Sequence, residues 1–396
     1  MSRIFFLSYN YANCNSLVCW RNGLSDQLGP SVAGLFVGCG GLDLGFKNAG
    51  YDLVWANELS ADAAQSYKDL IGHPVVVGDI WEYLDAIPQV DILIGGPPCQ
   101  AFSLVGKRLE DDPRAKLVFA FEQAVEKIMP QVFVMENVPG LMVSSVDGIK
   151  LHEHLAAKFR ALGYKVEILK LIATDFFVPQ KRKRVLMIGH RFQNKEFKLI
   201  DSKDFATLLG QPDLLSPICV SEALDDLPSP LPKGAKQSAE YVTPALSAYA
   251  KLMRKNNGKA VFHQVMPTMS LLDKAFVKHI PPGGNYMDIP DELSTKRIMS
   301  FKATGGRTTT YGRLHPDFPA YTINTYFNRP NVGANYHYRD ERLITVREAL
   351  RLQSFPDHFS PYYSNQRSLH MQVGNAVPPL MAQAIAYSIK QLFEWG

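Results

Sequence analysis

Cys99 is framed for nucleophilic chemistry. It stands in Gly95-Gly96-Pro97-Pro98-Cys99-Gln100-Ala101-Phe102-Ser103, directly after the apolar run 90–94. Two prolines stiffen the approach and hold the cysteine at a strand's carboxyl end, where ligands bind in open α/β sheets. A free thiol has a pKa of about 8.5 and attacks only as thiolate. A lone cysteine is otherwise ordinary packing. Cys14, Cys19, Cys39 and Cys219 lack such a frame, and Cys39, inside a glycine turn, is expected only to pack.

Glu136, in Met135-Glu136-Asn137-Val138-Pro139, ends another apolar run and belongs near the same sheet edge. A carboxylate there either protonates or holds a bound base, or caps the following turn. In Pro179-Gln180-Lys181-Arg182-Lys183-Arg184, strand alternation puts Arg182 and Arg184 on one face. Two guanidinium groups suit a phosphate or a base carbonyl, although a charge run can equally be a solvated face.

A third group suggests a nucleoside site. Phe36-Val37-Gly38-Cys39-Gly40-Gly41-Leu42-Asp43-Leu44-Gly45 follows the first apolar run. Such a turn lets a ligand approach the backbone and points amides at it. A dinucleotide fingerprint needs glycine at position 43, which is Asp43, so NAD is disfavoured. Glu58, twenty residues after Gly38, could take both hydroxyls of a ribose, and Asp79 could accept from an adenine amino group. No diphosphate site is evident, and S-adenosylmethionine fits that description.

The elements that must position these residues are legible as a rhythm. Short apolar runs at 31–37, 51–57, 74–77, 90–94, 131–135, 165–172 and 185–188 read as buried strands of a mostly parallel sheet. Helical spacing at 113–129 and 148–162 completes a doubly wound α/β pattern. The rhythm stops near Arg191, and a proline-rich, then loop-rich region follows. Helices return at 345–353 and 378–393. The expected domains are 1–191 for catalysis and cofactor, 192–340 for a smaller irregular unit, and 341–396 returning to the first.

Of 396 residues, 46% are hydrophobic and 20% charged, the composition of a globular protein with a sizeable core. No apolar run reaches the ~18–20 residues of a membrane helix, and the N-terminus lacks a signal-peptide pattern. Five scattered cysteines exclude a disulfide scaffold or a zinc site as organising features, no metal is expected, and a reducing cytoplasm fits. Residues 251–339 carry 13 Lys+Arg against 5 Asp+Glu, a balance of +8 within a chain of net +4. That is either a solvated face or a surface for a polyanion.

Together the motifs resemble the DNA (cytosine-5) methyltransferases, most closely the single-chain bacterial enzymes of restriction–modification systems. The resemblance runs from about Ser31 to Gln391. Its motifs, in family order, are FxGxGG, Asn57-Glu58, GDI at Gly78-Asp79-Ile80, GGPPCQAFS, ENVPG, QKRKR, Arg342 to Asp357, and Gln372-Val373-Gly374-Asn375-Ala376-Val377-Pro378.

The resemblance implies a Rossmann-like, S-adenosylmethionine-dependent methyltransferase domain with a smaller target-recognition domain. Phe36 would stack on the adenine, Glu58 would hold the ribose, and Asp79 and Ile80 would face the adenine. Gly38, Gly40, Gly41, Leu42 and Pro98 would complete the cofactor site, closed by Asn375 and Val377. Leu59 stands where the family often has an aromatic. Cys99 would be the nucleophile, with Glu136 and Arg184 on the target cytosine and Arg182 in support. The product would be S-adenosyl-L-homocysteine.

The target atom is unreachable inside a duplex, so the base must be flipped out, which costs a few kcal/mol. Contacts to double-stranded DNA must offset that. Gln100, Ser103, Lys296, Arg297, Arg307, Arg313 and Arg329 are the candidate contacts, with Thr308, Thr309, Thr310, Tyr311, Asn324 and Asn328 beside them. Arginine suits guanine's major-groove edge, although most such contacts go to phosphate. The expected setting is a monomer in a prokaryotic cytoplasm, on the nucleoid, with a cognate restriction endonuclease sharing the target sequence. A tRNA cytosine methyltransferase, a catalytically inactive DNA-binding regulator and a nicotinamide enzyme are the rival readings.

Overall fold

The computed structural model describes residues 29–98, 117–146, 148–235 and 238–393. The strands are β1 (Ser31–Leu35), β2 (Asp52–Glu58), β3 (Val76–Val77), β4 (Ile92–Gly95), β5 (Val132–Asn137), the small pair β6 (Ser145–Val146) and β7 (Ile149–Lys150), β8 (Lys165–Ile172) and β9 (Lys183–His190). Seven of them form one sheet in the order β3-β2-β1-β4-β5-β9-β8. The first five run parallel, and β9 lies antiparallel between β5 and β8. Every residue of β4 and β5 is buried, as parallel strands covered on both faces require. Chain order reverses at β1, which has β2 on one side and β4 on the other. A crevice therefore opens at their carboxyl ends.

Strand β1 stops two residues earlier than the apolar run suggests, because Phe36 adopts φ 55°. That conformation is rare for a bulky residue and costs of order 1–3 kcal/mol, which the surrounding structure must over-determine. Gly38 (φ 55°) and Gly40 (φ 91°) continue the left-handed turn, and Gly40 caps α1 (Gly41–Asn48). Serine 60 caps α2 (Ala61–Ile71), accepting from the Ala63 amide at 3.4 Å. The helices α3 (Leu117–Ile128) and α4 (Leu151–Ala161) cover the sheet within the windows 113–129 and 148–162.

Beyond β9 come α5 (Ser202–Leu208), α6 (Val220–Leu224), α7 (Ala248–Arg254), α8 (Leu271–Val277) and α9 (Lys296–Thr304). Two small pairs join them, β10 (Ala239–Glu240) with β11 (Ala260–Val261) and β12 (Gly312–Arg313) with β13 (Ala334–Tyr336). Then follow α10 (Val346–Leu352), α11 (Gln366–Asn375) and α12 (Pro379–Phe393). Helix α12 lies against α1, where a Cβ on Gly45 would come within 2.4 Å of Ala382. Tyr51 donates to the Ala386 carbonyl at 3.0 Å, fastening the same contact.

The buried side chains divide the expected 192–340 unit. Ile200, Phe205, Val220, Tyr249 and Val261 join the main core beside Val32, Ile94 and Ile385. A separate small core holds Phe276, Val277, Ile280, Tyr286, Ile289 and Ile298 with Tyr336 and Leu343. No helix among the described residues is long and apolar enough to cross a membrane.

Candidate active site

A cavity of about 920 Å³ occupies the crevice at the carboxyl ends of β1, β2, β4 and β5. One wall is the glycine turn. The Gly38 amide donates to Glu58 Oε2 and the Ser60 amide to Glu58 Oε1, both at 2.8 Å. Each carboxylate oxygen thus keeps capacity for a further donor. Burial pushes the Glu58 carboxyl upward in pKa, and the Ser60, Gly38 and Leu59 amides pull it back. The Asn57 side chain donates to the Val76 and Gly78 carbonyls at 3.1 Å, which fixes the end of β2 against the Asp79 loop. One Asp79 oxygen accepts from the Trp81 amide at 3.2 Å, and Ile80 is buried beneath it. Leu59 lines the cavity but is 69% exposed.

The lid of this wall comes from the far end of the chain. Asn375 and Val377 line the cavity, and a Cβ on Gly41 would fall 2.2 Å from the Val377 carbonyl oxygen. Only glycine lets the two segments approach so closely. Asp43, which in the sequence only speaks against a dinucleotide turn, has a structural place of its own. It is buried in the turn, accepts from the Tyr67 hydroxyl at 3.0 Å, and burial pushes its pKa up to about 7.

The other wall carries charge. Arg184 Nε lies 2.6 Å from Glu136 Oε1, with both side chains about nine-tenths buried. A Cβ on Gly96 would sit 3.1 Å from Glu136 Oε2, so Gly96 makes the space that carboxylate uses. The Asn137 side chain donates to the Pro97 carbonyl at 3.1 Å, tying the glutamate's strand end to the Gly-Gly-Pro-Pro segment. Pro98 lines the cavity. Cys99, Gln100 and Ser103 lie outside the described residues. Of the described cysteines, Cys39 is buried with its thiol pushed up to about 12, and burial also raises that of Cys219.

Arg182 does not share the cavity with Arg184. Its guanidinium is buried and donates to the Ile323 carbonyl at 3.0 Å and the Gly374 carbonyl at 2.9 Å. It joins the start of β9 to Ile323 and to the end of α11. Gln180 and Gln353, to which the motifs alone assign no role, extend the joint. Gln180 Nε2 donates to Gln353 Oε1 at 2.8 Å, and its oxygen accepts from the Ile323 amide at 2.9 Å. Gln353 in turn donates to the Val373 carbonyl at 2.6 Å.

The basic candidates separate by exposure. Lys296, Arg297, Arg307 and Arg329 are exposed. Arg313 corrects an expectation: its guanidinium donates to the carbonyls of His337, Ile280, Val277 and Arg339 at 2.8–3.4 Å. With four backbone acceptors it staples the small core's surroundings and is not a free reader of bases. Thr310 is likewise buried.

Comparison with known proteins bears on this arrangement. The family model for C-5 cytosine-specific DNA methylase matches residues 31–391. The type II methyltransferase M.NgoFVII of Neisseria gonorrhoeae is 33% identical, over 92% of this chain and 87% of that relative. M.DdeI of Desulfomicrobium norvegicum is 31% identical, over 92% and 89%. Among solved structures, a DNA modification methyltransferase encoded within an E. coli prophage superposes with TM-score 0.68 at 23% identity, covering 92% of this chain and 99% of its own. The Dnmt2 methyltransferase of S. pombe gives 0.54 at 15%, covering 92% and 98%. These structures share the mixed α/β fold with a mostly parallel sheet.

Proposed function

The chain belongs to the C-5 cytosine-specific DNA methylase family and is a DNA (cytosine-5) methyltransferase, and from that premise we propose how its residues divide the work. The methyl donor is S-adenosylmethionine, bound at the glycine-turn wall. The residues present fit it: Glu58 is pre-set by two amides to receive ribose hydroxyls, and nothing stands within 4 Å of where a Gly38 Cβ would be. Phe36, Asp79 and Ile80 take the adenine end, while Asn375 and Val377 close over the group.

The observation that carries the catalytic reading is the Glu136–Arg184 pair, buried against Gly96 and facing the Glu58 wall across one cavity. Carbon 5 of cytosine is a poor nucleophile. Cys99, three residues after Gly96, adds as thiolate to carbon 6 and pushes electron density to carbon 5. Glu136 donates a proton or hydrogen bond at N3, and Arg184 stabilises charge at O2. When bound, S-adenosylmethionine supplies an electrophilic methyl group. Water then takes the carbon-5 proton, and the electron pair of that bond closes the carbon 5–carbon 6 double bond. The carbon 6–sulfur bond breaks to free Cys99 as thiolate, and Glu136 takes back any proton given to N3. The base is read in a flipped-out state, and exposed Lys296, Arg297, Arg307 and Arg329, with Gln100 and Ser103, are the proposed DNA contacts. The relatives named type II methyltransferases support a protective role beside a restriction endonuclease of the same target sequence.

Long-read sequencing of DNA from cells expressing the protein identifies the target. Duplex carrying 5-fluorocytosine there tests the mechanism. Fluorine is not lost as a cation, so the adduct stalls after methyl transfer and survives denaturing electrophoresis. Cys99→Ala abolishes it, and Glu136→Gln slows it by about 10²–10⁴. A trapped complex persisting in Cys99→Ala would mean a different nucleophile. No trapping by active wild-type protein would overturn the covalent route.

A further inference from the structure

A second cavity, of about 350 Å³, opens beside the first, and Arg367 and Met371 line both. Arg329 and Tyr326 wall it on one side, and Arg367 and His370 of α11 on the other. Its lining is one-sided in charge, with two guanidinium groups and no carboxylate. Among the described residues, the ion pairs of arginine fall to Arg184, Arg254, Arg339, Arg342, Arg347 and Arg351, not to these two. Arg329 lies 5.0 Å over the Tyr326 ring, which orients the guanidinium without consuming its donors. Arg367 sits in the first turn of the ten-residue α11, whose amide end, with the Ser368 amide capped by Asn365 Oδ1 at 3.0 Å, adds positive potential. His370 is buried with its ring edge-on to Phe327 at 4.9 Å. Burial holds its pKa near 4, so at neutral pH it presents uncharged polar nitrogens.

We propose that this cavity is a subsite for a phosphodiester group of the DNA strand that carries the target cytosine. The inference rests on the reading above, in which the flipped base enters the larger cavity. A nucleotide swung into that space draws its flanking phosphates to the rim, and the shared Arg367–Met371 wall is where the rim meets a cationic pocket. Arg329 and Arg367 then form a two-sided clamp that holds the backbone in its extruded course. The contact reads no sequence; it secures the strand once the base has left the stack.

Duplex containing the target sequence, titrated at several salt concentrations, tests the subsite. Arg329→Gln is expected to weaken binding roughly tenfold or more and to lower the slope of log K against log salt by about one. Its affinity for S-adenosylmethionine without DNA stays at the wild-type value. Arg367→Gln is expected to show the same DNA effects. A neutral methylphosphonate linkage, walked across the phosphates flanking the target, should mimic Arg329→Gln at one position and add nothing to it there. An unchanged salt slope in both variants, or additivity at every linkage, overturns the subsite. So does an Arg367→Gln variant that loses cofactor affinity alone, because that arginine would then serve the cofactor. Wild-type protein that methylates no DNA would count against the parent reading instead.

Discussion

At the scale of single residues, the cofactor wall tests the assignment most directly. Phe36→Ala removes a ring held in a left-handed backbone conformation, and Glu58→Ala removes a carboxylate pre-set by the Gly38 and Ser60 amides. A hydrogen bond to a charged group is worth about 1.5–3 kcal/mol. Glu58→Ala should therefore weaken S-adenosylmethionine binding about 10- to 100-fold in calorimetry, and Phe36→Ala should weaken it too. Wild-type affinity in both folded variants would move the cofactor elsewhere. Spacing after a strand pointed to Glu58, and the family resemblance pointed to Phe36. Neither was enough for Asp43, Gln180 or Gln353, whose roles come from partners far away in sequence. Asp43 invites its own measurement. Its folded pKa, about 7, lies above the unfolded value near 3.8, so the unfolded chain releases the proton first. Stability is lost as pH rises between those values, and Asp43→Asn escapes that loss. Its melting temperature should gain on wild type from pH 4 to 7, by an amount equivalent to at most about 4 kcal/mol. A constant difference across that range would refute the buried acid.

At the scale of elements, the segment from Arg342 to Asp357 shows how a family signature can be structural. Thr345 caps α10 and Glu348 closes the capping box, a pattern readable as Thr-x-x-Glu before an apolar run. Its partners were not readable. Arg342 grips Glu348 through two bonds of 2.8 Å, and Arg351 reaches both Asp357 at 2.6 Å and Asp226 at 2.8 Å, all buried. Burial pushes the Glu348 carboxyl up, but Arg342 and His337 pull it further down, to about 2. Its folded pKa is therefore below the unfolded value near 4.5. The stabilisation is present above pH 4.5 and fades as pH falls toward 2, with a full size of about 3 kcal/mol. Glu348→Gln should lose roughly that much in denaturant unfolding at pH 7, and leaving Arg342 buried without its charge partner adds to the loss. The gap between variant and wild type should narrow on acidification. A gap that stays constant down to pH 2 would mean the pair is not what holds α10.

At the scale of the whole molecule, charge and core give different maps. The charge count marks residues 251–339 as one basic unit, and the composition change near Arg191 marks where the expected irregular unit, 192–340, begins. Neither signal reports which apolar residues share a core, because short irregular segments carry no period to follow. Met253, Val261, Leu314, Ala320, Ile323, Phe327 and Tyr338 all pack into the main core. The small core draws its continuous stretch from Met269 to Tyr311, which contains exposed Lys296, Arg297 and Arg307. Target choice should therefore travel with residues 269–311, while 312–343 stays with the catalytic body through Arg182 and Gln180, which bond Ile323. Replacing 269–311 with the matching segment of a relative of different target sequence should give a folded enzyme that methylates the relative's sequence. Replacing 251–339 should cut through the main core and lower stability by several kcal/mol, since each mismatched large side chain there costs about 1–3. Sequencing methylated DNA from cells expressing each chimaera separates the outcomes. A folded 269–311 chimaera that still marks the original sequence would assign recognition to residues outside the small core.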